Sequence, residues 1–177
     1  MKLPWFITRG LLDHALHVAL HRAPDFTIRG TEEGDYLRRW FLTPWSKWDR
    51  TVPPKNWIEA LKRRLPNVYV HKFLRSDDDG ALHDHPWWNV SVLLMGKYVE
   101  ETVAEGGVHH RREYRAGDLK FRRATGAHRI EVEMPCWTIF ITGPAVRDWG
   151  FHCANGWRPW QQFVDARDRG KTGHGCG

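Results

Sequence analysis

Three histidines of the chain have a spacing that suits a metal site. His83 and His85 are one residue apart, so their side chains point to the same face of a β-strand. His128 lies on a later predicted strand and can supply a third ligand. Imidazole binds Zn, Fe, Ni, Cu and Mn-class ions, and three protein ligands leave positions open for substrate or oxygen. The spacing therefore predicts an open divalent-metal site, although a surface turn and a buried, hydrogen-bonded histidine would also account for these residues.

Further residues at fixed distances extend this pattern. In chain order the chain reads His83-x-His85-x3-Asn89-x6-Gly96 and then Gly117-Asp118 followed by His128. This resembles the two cupin motifs, G-x5-H-x-H-x3,4-E-x6-G and G-x5-P-x-G-x2-H-x3-N. The chain departs from them at the glutamate, the proline and the second glycine, which are Asn89, Arg123 and Thr125 here, with Gly126 one place late.

The resemblance implies an all-β fold, the double-stranded β-helix or jelly-roll barrel. It also implies that His83, His85 and His128 bind the metal. Asn89 replaces a carboxylate ligand with a neutral amide, so we interpret Asn89 as a supporting or substrate-binding residue. A three-histidine set resembles that of thiol dioxygenases, which favours Fe(II), with Zn, Ni or Mn as alternatives.

The predicted function is accordingly an Fe(II) dioxygenase acting on a small anionic or thiol substrate. Three neutral ligands leave the ion its full charge, which favours anions in the open positions. A non-oxidative isomerase, epimerase or lyase, with the ion as a Lewis acid, is the second hypothesis. A non-catalytic ligand-binding cupin is the third, and the sequence identifies no substrate.

Other polar and aromatic residues near the motif are candidates for the pocket. His152 is the best candidate for a general base, and Tyr98 is the second catalytic candidate. Substrate binding is predicted for Asn89, Trp87, Arg147 and His71. Arg147 offers a bidentate fork for an anion, whereas Trp87, or its neighbour Trp88, offers an aromatic wall.

Hydrophobic periodicity predicts the elements that position these residues. The stretch 9–23 has a helical pattern, as has the shorter stretch 56–65, and most of the remainder alternates like short strands separated by turns. We expect residues 1–66 to pack on a barrel core at 67–167, as one domain. Residues 160–164 are predicted to form a closing strand, and the Gly-rich stretch 168–177 is predicted to be disordered.

Composition limits the partners and the compartment. The net charge of +6 permits attraction to small anions, but the basic residues are dispersed, so nucleic-acid binding is not expected. No apolar run is long enough for a membrane span or a signal peptide. The three cysteines lack a disulfide-framework spacing, which favours a reducing cytoplasm. A small-molecule substrate is expected, and homodimerisation is left open.

Overall fold

The computed structural model describes residues 1–29, 34–47, 53–76, 80–104, 107–167 and 171–177. Most of these residues form antiparallel strands. The helices are α1 (Trp5–His21), α2 (Trp57–Lys62) and α3 (Trp160–Phe163), with a short 3-10 turn at Pro44–Lys47. The two helices predicted from periodicity, α1 and α2, are therefore present.

Two six-stranded sheets are formed within the described residues. The first has the strand order β1-β2-β3-β10-β5-β8, where the strands are β1 (Phe26–Arg29), β2 (Asp35–Phe41), β3 (Asn67–Phe73), β10 (Cys136–Thr142), β5 (Asn89–Met95) and β8 (Leu119–Arg122). The second has the order β12-β11-β4-β9-β6-β7, where the strands are β12 (Gly156–Pro159), β11 (Gly150–Cys153), β4 (Leu82–His83), β9 (His128–Glu131), β6 (Lys97–Val103) and β7 (His109–Arg115).

The sheets pack face to face, as expected for a jelly-roll barrel. One apolar cluster draws side chains from both inner faces: Leu37, Phe73, Leu93, Tyr98, Tyr114, Ile130, Val132 and Cys136. Because side chains alternate along a strand, the outer face of the first sheet carries a second apolar set, including Trp40, Val70 and Ile139. Helix α1 covers that outer face through Ala15 and its neighbours. The all-β architecture with an N-terminal helix is thus confirmed.

Gly96 forms the tight turn between β5 and β6. Its φ of +88° lies in a region that L side chains rarely adopt, and an added Cβ would lie 2.8 Å from the Cβ of Cys136. Glycine alone meets both constraints. This glycine of the first motif therefore has a backbone role.

The C-terminal region differs from the sequence prediction. Residues 160–163 form helix α3, not a strand, and the strand of this region is β12, which ends at Pro159. Residues 171–177 are not disordered: Thr172 pairs with Val164, and the carbonyl of Phe163 accepts hydrogen bonds from the N–H groups of Gly173 and Gly175. Residues 168–170 of the predicted tail lie outside the described residues.

A disulfide joins Cys153 on β11 to Cys176 near the C-terminus. The absence of a disulfide-framework spacing therefore did not exclude a disulfide, and among the described residues Cys136 is the free cysteine. Cysteine spacing could not reveal the pair, because the two residues meet only after α3 and the following segment fold back onto β11. The cysteine spacing was the reason given for a reducing cytoplasm, and this disulfide removes that reason. In the described ranges no helix has both the length and the hydropathy needed to cross a bilayer.

Candidate metal centre

The three predicted ligands converge at one point inside the barrel. His83 on β4 is the direct register partner of His128 on β9. His85 follows β4, and its Nε2 lies 2.8 Å from Nε2 of His128. One ring nitrogen of each histidine lies within 4.8 Å of those of the other two. We call these three residues the histidine group.

Asp84, between the two histidines of the first motif, points the other way, as strand alternation requires. Its side chain is almost fully buried on the outer side of the second sheet. Four groups donate to its carboxylate: the N–H of Gly150 at 2.9 Å, Nη1 of Arg147 at 3.0 Å, Nε1 of Trp157 at 3.0 Å and Nε2 of His152 at 3.2 Å. Burial alone would raise the pKa of Asp84, but the hydrogen bonds from Arg147 and Gly150 lower it, so it stays ionised. Asp84 thus ties the ligand-bearing segment to the β11–β12 hairpin.

Glu100 on β6 sets the tautomer of His128. Its Oε1 accepts a hydrogen bond from Nδ1 of His128 at 3.0 Å. With the proton on Nδ1, Nε2 of His128 carries a lone pair directed into the histidine group. Carboxylate partners of this kind orient metal-ligating histidines and raise their basicity. Glu100 is therefore a supporting residue of the site.

Two cations hold Glu100 in the barrel. Lys120 Nζ lies 2.5 Å from Oε1, and Nη2 of Arg122 donates to the same oxygen. All three side chains are at least nine-tenths buried. Burial opposes the ionised form of Glu100, but the bond from His128 and the charges of Lys120 and Arg122 outweigh it and lower its pKa well below the ordinary value.

Two of these histidines, His85 and His128, are held neutral. Burial, followed by the charges on His128 and His83, lowers the pKa of His85 well below its ordinary value. Burial and the Arg122 charge lower the pKa of His128, against the opposing effect of Glu100. Neutral imidazole is the form that binds metal ions. These two ligands are thus prepared for metal without prior loss of protons.

This donor set fits a divalent metal ion. Three neutral imidazoles converge, and Nδ1 of His83 is buried without a hydrogen-bond partner within the described chain. Among the residues that the structure describes, no carboxylate or thiol joins the group. The ligand set is therefore purely histidine, and a divalent metal ion is the cofactor that the site suits.

Several predicted pocket residues lie beside the histidine group or inside the barrel. Trp87 stacks on His85, with ring centroids 4.5 Å apart and an interplanar angle of 11°. His71 stacks on Phe140, which is also an edge contact of His85. Burial and the charge of Arg39 lower the pKa of His71, whose Nε2 accepts a bond from Arg39 Nε at 2.8 Å.

Asn89 is buried on β5, where its register partner is Arg122 on β8. Its amide Nδ2 has no hydrogen-bond partner within the described residues. The residue in the motif glutamate position is therefore a neutral amide with an unused donor.

The structure corrects the prediction for His152. Its neighbour Phe151 contacts His83 with a centroid distance of 5.8 Å, so alternation along β11 places His152 on the opposite face. There its ring contacts Asp84 and remains 40% exposed. Sequence proximity to the last strands could not reveal which face it occupies. A general-base role at the histidine group has no support from this position.

Tyr98 and Arg147 also have structural partners. Tyr98 belongs to the apolar cluster, and its ring lies tilted against that of Tyr114 with a centroid distance of 5.5 Å. Burial raises the pKa of Tyr98 well above its ordinary value, so its phenol stays protonated. Arg147 pairs with Asp84 and donates to the carbonyl of His85 at 3.2 Å. Both contacts indicate positioning of the site, whereas substrate anchoring by Arg147 stays a prediction.

Glu100, Arg122 and Asp84 form the support that sequence reasoning did not assign. A signal existed for Glu100, because β6 alternates and places it on the same face as Tyr98, whereas Glu101 faces outwards to Arg129. Nothing local shows that Arg122 lies across the barrel from this face. Its partner became known only from the packing of the two sheets.

Comparisons with known proteins return structural similarity without close sequence relatives. No protein-family profile matches the chain, and no curated protein matches it. An oxalate decarboxylase from Bacillus subtilis is 14% identical, with a TM-score of 0.46 over 78% of this chain and 31% of its own. The DMSP lyase DddQ from Ruegeria pomeroyi DSS-3 is 19% identical, with a TM-score of 0.39 over 48% of this chain and 41% of its own. The chain thus spans less than half the length of either protein.

The architecture and the site agree with the motif resemblance. The described chain forms two antiparallel sheets packed as a barrel, and both motifs deliver their histidines to one point in its interior. The pair from the first motif and the single histidine from the second lie on adjacent strands of one sheet or directly after them. The chain therefore has the fold and the histidine arrangement of a cupin.

Proposed function

We propose that this protein is a mononuclear metal enzyme, and that its reaction is the Fe(II)-dependent dioxygenation of a small anionic or thiol substrate. The observation that carries the proposal is the convergence of three neutral imidazoles inside a barrel, with no carboxylate in their group among the described residues. His83, His85 and His128 hold the ion. Bound Fe(II) would supply oxygen activation, whereas Zn, Ni or Mn would supply Lewis acidity.

The charge of the barrel interior favours an anionic substrate. A neutral ligand set leaves a divalent ion its full charge. On the Nδ1 side of His128, the carboxylate of Glu100 forms ion pairs with two cations, Lys120 and Arg122. Arg39 on β2 adds a further cation, which contacts His71 and the faces of aromatic rings. Even with Glu100 ionised, the described interior retains excess positive charge, so an anion is the ligand that completes it.

Aromatic side chains surround the histidine group and limit access of water. Trp87 stacks on His85, while Trp149 and Phe151 contact His83 with centroid distances of 6.4 and 5.8 Å. Such walls strengthen electrostatic interactions within a site and protect reactive species from water. Glu100 meanwhile keeps the proton on Nδ1 of His128, so that Nε2 stays available.

Metal content tests the first part of the proposal. We expect one divalent ion per chain in protein purified without an affinity tag, and none in the triple variant His83→Ala/His85→Ala/His128→Ala. The matched control replaces three exposed histidines of α1, His14, His17 and His21, with alanine, and this variant should retain the ion. Equal metal content in the two triple variants would refute the site.

Oxygen consumption tests the reaction. The Fe(II) form should consume O2 in an electrode chamber only when one of a panel of small thiols and carboxylates is present, and the Zn(II) form should not. If the Zn(II) form turns over a substrate equally well, Lewis-acid isomerisation or elimination replaces dioxygenation. If neither form turns over any compound, aerobically or anaerobically, the enzyme proposal fails and a binding protein remains.

A further inference from the structure

Two buried side chains with an unused hydrogen-bond donor are neighbours on adjacent strands of the first sheet. Asn89 on β5 and Arg122 on β8 are register partners, and both are more than nine-tenths buried. Nδ2 of Asn89 and Nη1 of Arg122 have no hydrogen-bond partner within the described residues. Buried donors are usually satisfied, because an unpaired one costs about 1–3 kcal/mol. An unpaired neighbouring couple therefore indicates a missing ligand.

Arg122 is held with this donor available. Its Nη2 donates to Oε1 of Glu100, so one side of the guanidinium is engaged and Nη1 is left over. Gly126 packs against its methylene chain: an added Cβ there would lie 2.8 Å from Cγ of Arg122. The glycine that stands one place late in the second motif thus makes room for this arginine.

The same contacts place the pair beside the histidine group. The oxygen of Glu100 that binds Arg122 also accepts the bond from Nδ1 of His128. Arg122 and His128 therefore donate hydrogen bonds to the same oxygen, Oε1 of Glu100.

We propose that Asn89 and Arg122 bind the carboxylate group of the substrate, next to the three-histidine metal centre. The inference rests on the proposed function and specifies its substrate class as a small carboxylic acid. A guanidinium gives planar, charge-assisted hydrogen bonds that match a carboxylate. The Asn89 amide adds a second donor without the repulsion that the motif glutamate would exert. This assigns a function to the replacement of that glutamate.

The experiment uses acetate as the probe and acetamide as its neutral isostere. Co(II)-loaded protein is titrated with each compound, and binding is followed by visible absorption and by calorimetry. Arg122→Lys keeps a positive charge beside Glu100 but loses the two-pronged guanidinium donor. Asn89→Asp adds a carboxylate that repels acetate. The matched control is Arg123→Lys, the same change at the neighbouring residue, whose side chain is exposed. Cobalt content and melting temperature are measured for every variant.

We expect the wild type and Arg123→Lys to bind acetate but not acetamide. Arg122→Lys should bind acetate about tenfold or more weakly, and Asn89→Asp should lose binding, both with full cobalt content. Equal acetate affinity in all four proteins, or no acetate binding by the cobalt-loaded wild type, would overturn the proposal.

Failure of the metal centre is distinguishable from failure of this inference. If the wild type holds no metal, the proposed function fails, and the same titrations on the metal-free protein then decide the carboxylate site alone. If Arg122→Lys does not fold, the acetate affinity of Asn89→Asp tests the carboxylate site. Retained acetate binding in that variant would contradict the assignment.

Discussion

The two halves of the barrel interior are built from the same strands by opposite means. One half is the apolar cluster that includes Leu37, Phe73 and Leu93. The other half, on the same inner faces, contains the histidine group with Glu100 and Arg122. The apolar half stabilises the barrel by removing hydrocarbon from water, whereas the polar half must first compensate the cost of burying charge.

This contrast separates residues that maintain the fold from residues that prepare the site. In the polar half, the buried carboxylate of Glu100 is matched by cations, and several donors are left unused within the described residues. Replacing such a network with hydrocarbon is often neutral or favourable for stability. The polar half is therefore explained by ligand binding and not by stability. The predictions below test this division.

The largest stability effect is expected in the apolar half. Leu93→Ala should lower the free energy of unfolding by about 3 kcal/mol, because it removes a fully buried side chain and leaves a cavity. Its metal content after refolding should equal that of the wild type. Chemical denaturation and elemental analysis measure the two quantities, with the exposed Leu20→Ala as control. Metal loss in Leu93→Ala with little change in stability would contradict the division.

The disulfide should contribute almost as much. Cys153→Ser/Cys176→Ser should lower the free energy of unfolding by about 3 kcal/mol, since the bond closes a loop of 23 residues. The bond ties the C-terminus to β11, on the strand next to β4. Denaturant titrations of the variant and of the wild type, each without reductant, provide the measurement. Unchanged stability would show that the tail contributes nothing, as the sequence first suggested.

A smaller effect, confined to the polar half, is expected for Glu100→Gln. It should weaken metal binding about 10- to 100-fold, the usual range for carboxylates that orient a ligand histidine. Competition with a chromophoric chelator measures the affinity. Glu101→Gln is the matched control, because the neighbouring side chain points outwards to Arg129. Equal affinities in the two variants would remove Glu100 from the site.

The smallest effect concerns Cys136 in the apolar half. Burial raises the pKa of its thiol to about 12, so the thiolate is scarce at all ordinary pH values. Without reductant, a thiol-specific reagent should label no cysteine in the native protein and one in the unfolded protein. With reductant, the unfolded protein should show all three. Rapid labelling of the native protein at pH 8 would indicate that this half is open.

Much of the fold could be predicted from short stretches of sequence. Alternation of apolar and polar residues indicated most strands, and Gly96 marked a turn that only glycine can make. The sequence placed His83 and His85 on a strand but did not give the bounds of β4, because a strand of two residues has no period to detect. Helix α3 was taken for a strand because four residues with Trp160 and Phe163 at the ends fit either pattern.

The ligands could also be predicted, whereas their support could not. The i, i+2 spacing of His83 and His85 gives a common face on any strand, whatever surrounds it. The partner of His128, by contrast, lies 28 residues away at Glu100, on a strand whose register no local pattern reveals. His152 was predicted in the site but lies behind it, on the outer face with Asp84.

The sequence by itself determined the strand pattern, the neutral donor set and the absence of a carboxylate at Asn89. These depend on residue type and on periods of two, which are local properties. The tertiary structure alone decided that Arg122 shares a carboxylate with His128, that Asn89 is the register partner of Arg122, and that the C-terminus is bonded to β11. The physical reason is that contacts between distant strands depend on register and on sheet packing, where the free energy comes from many side chains at once.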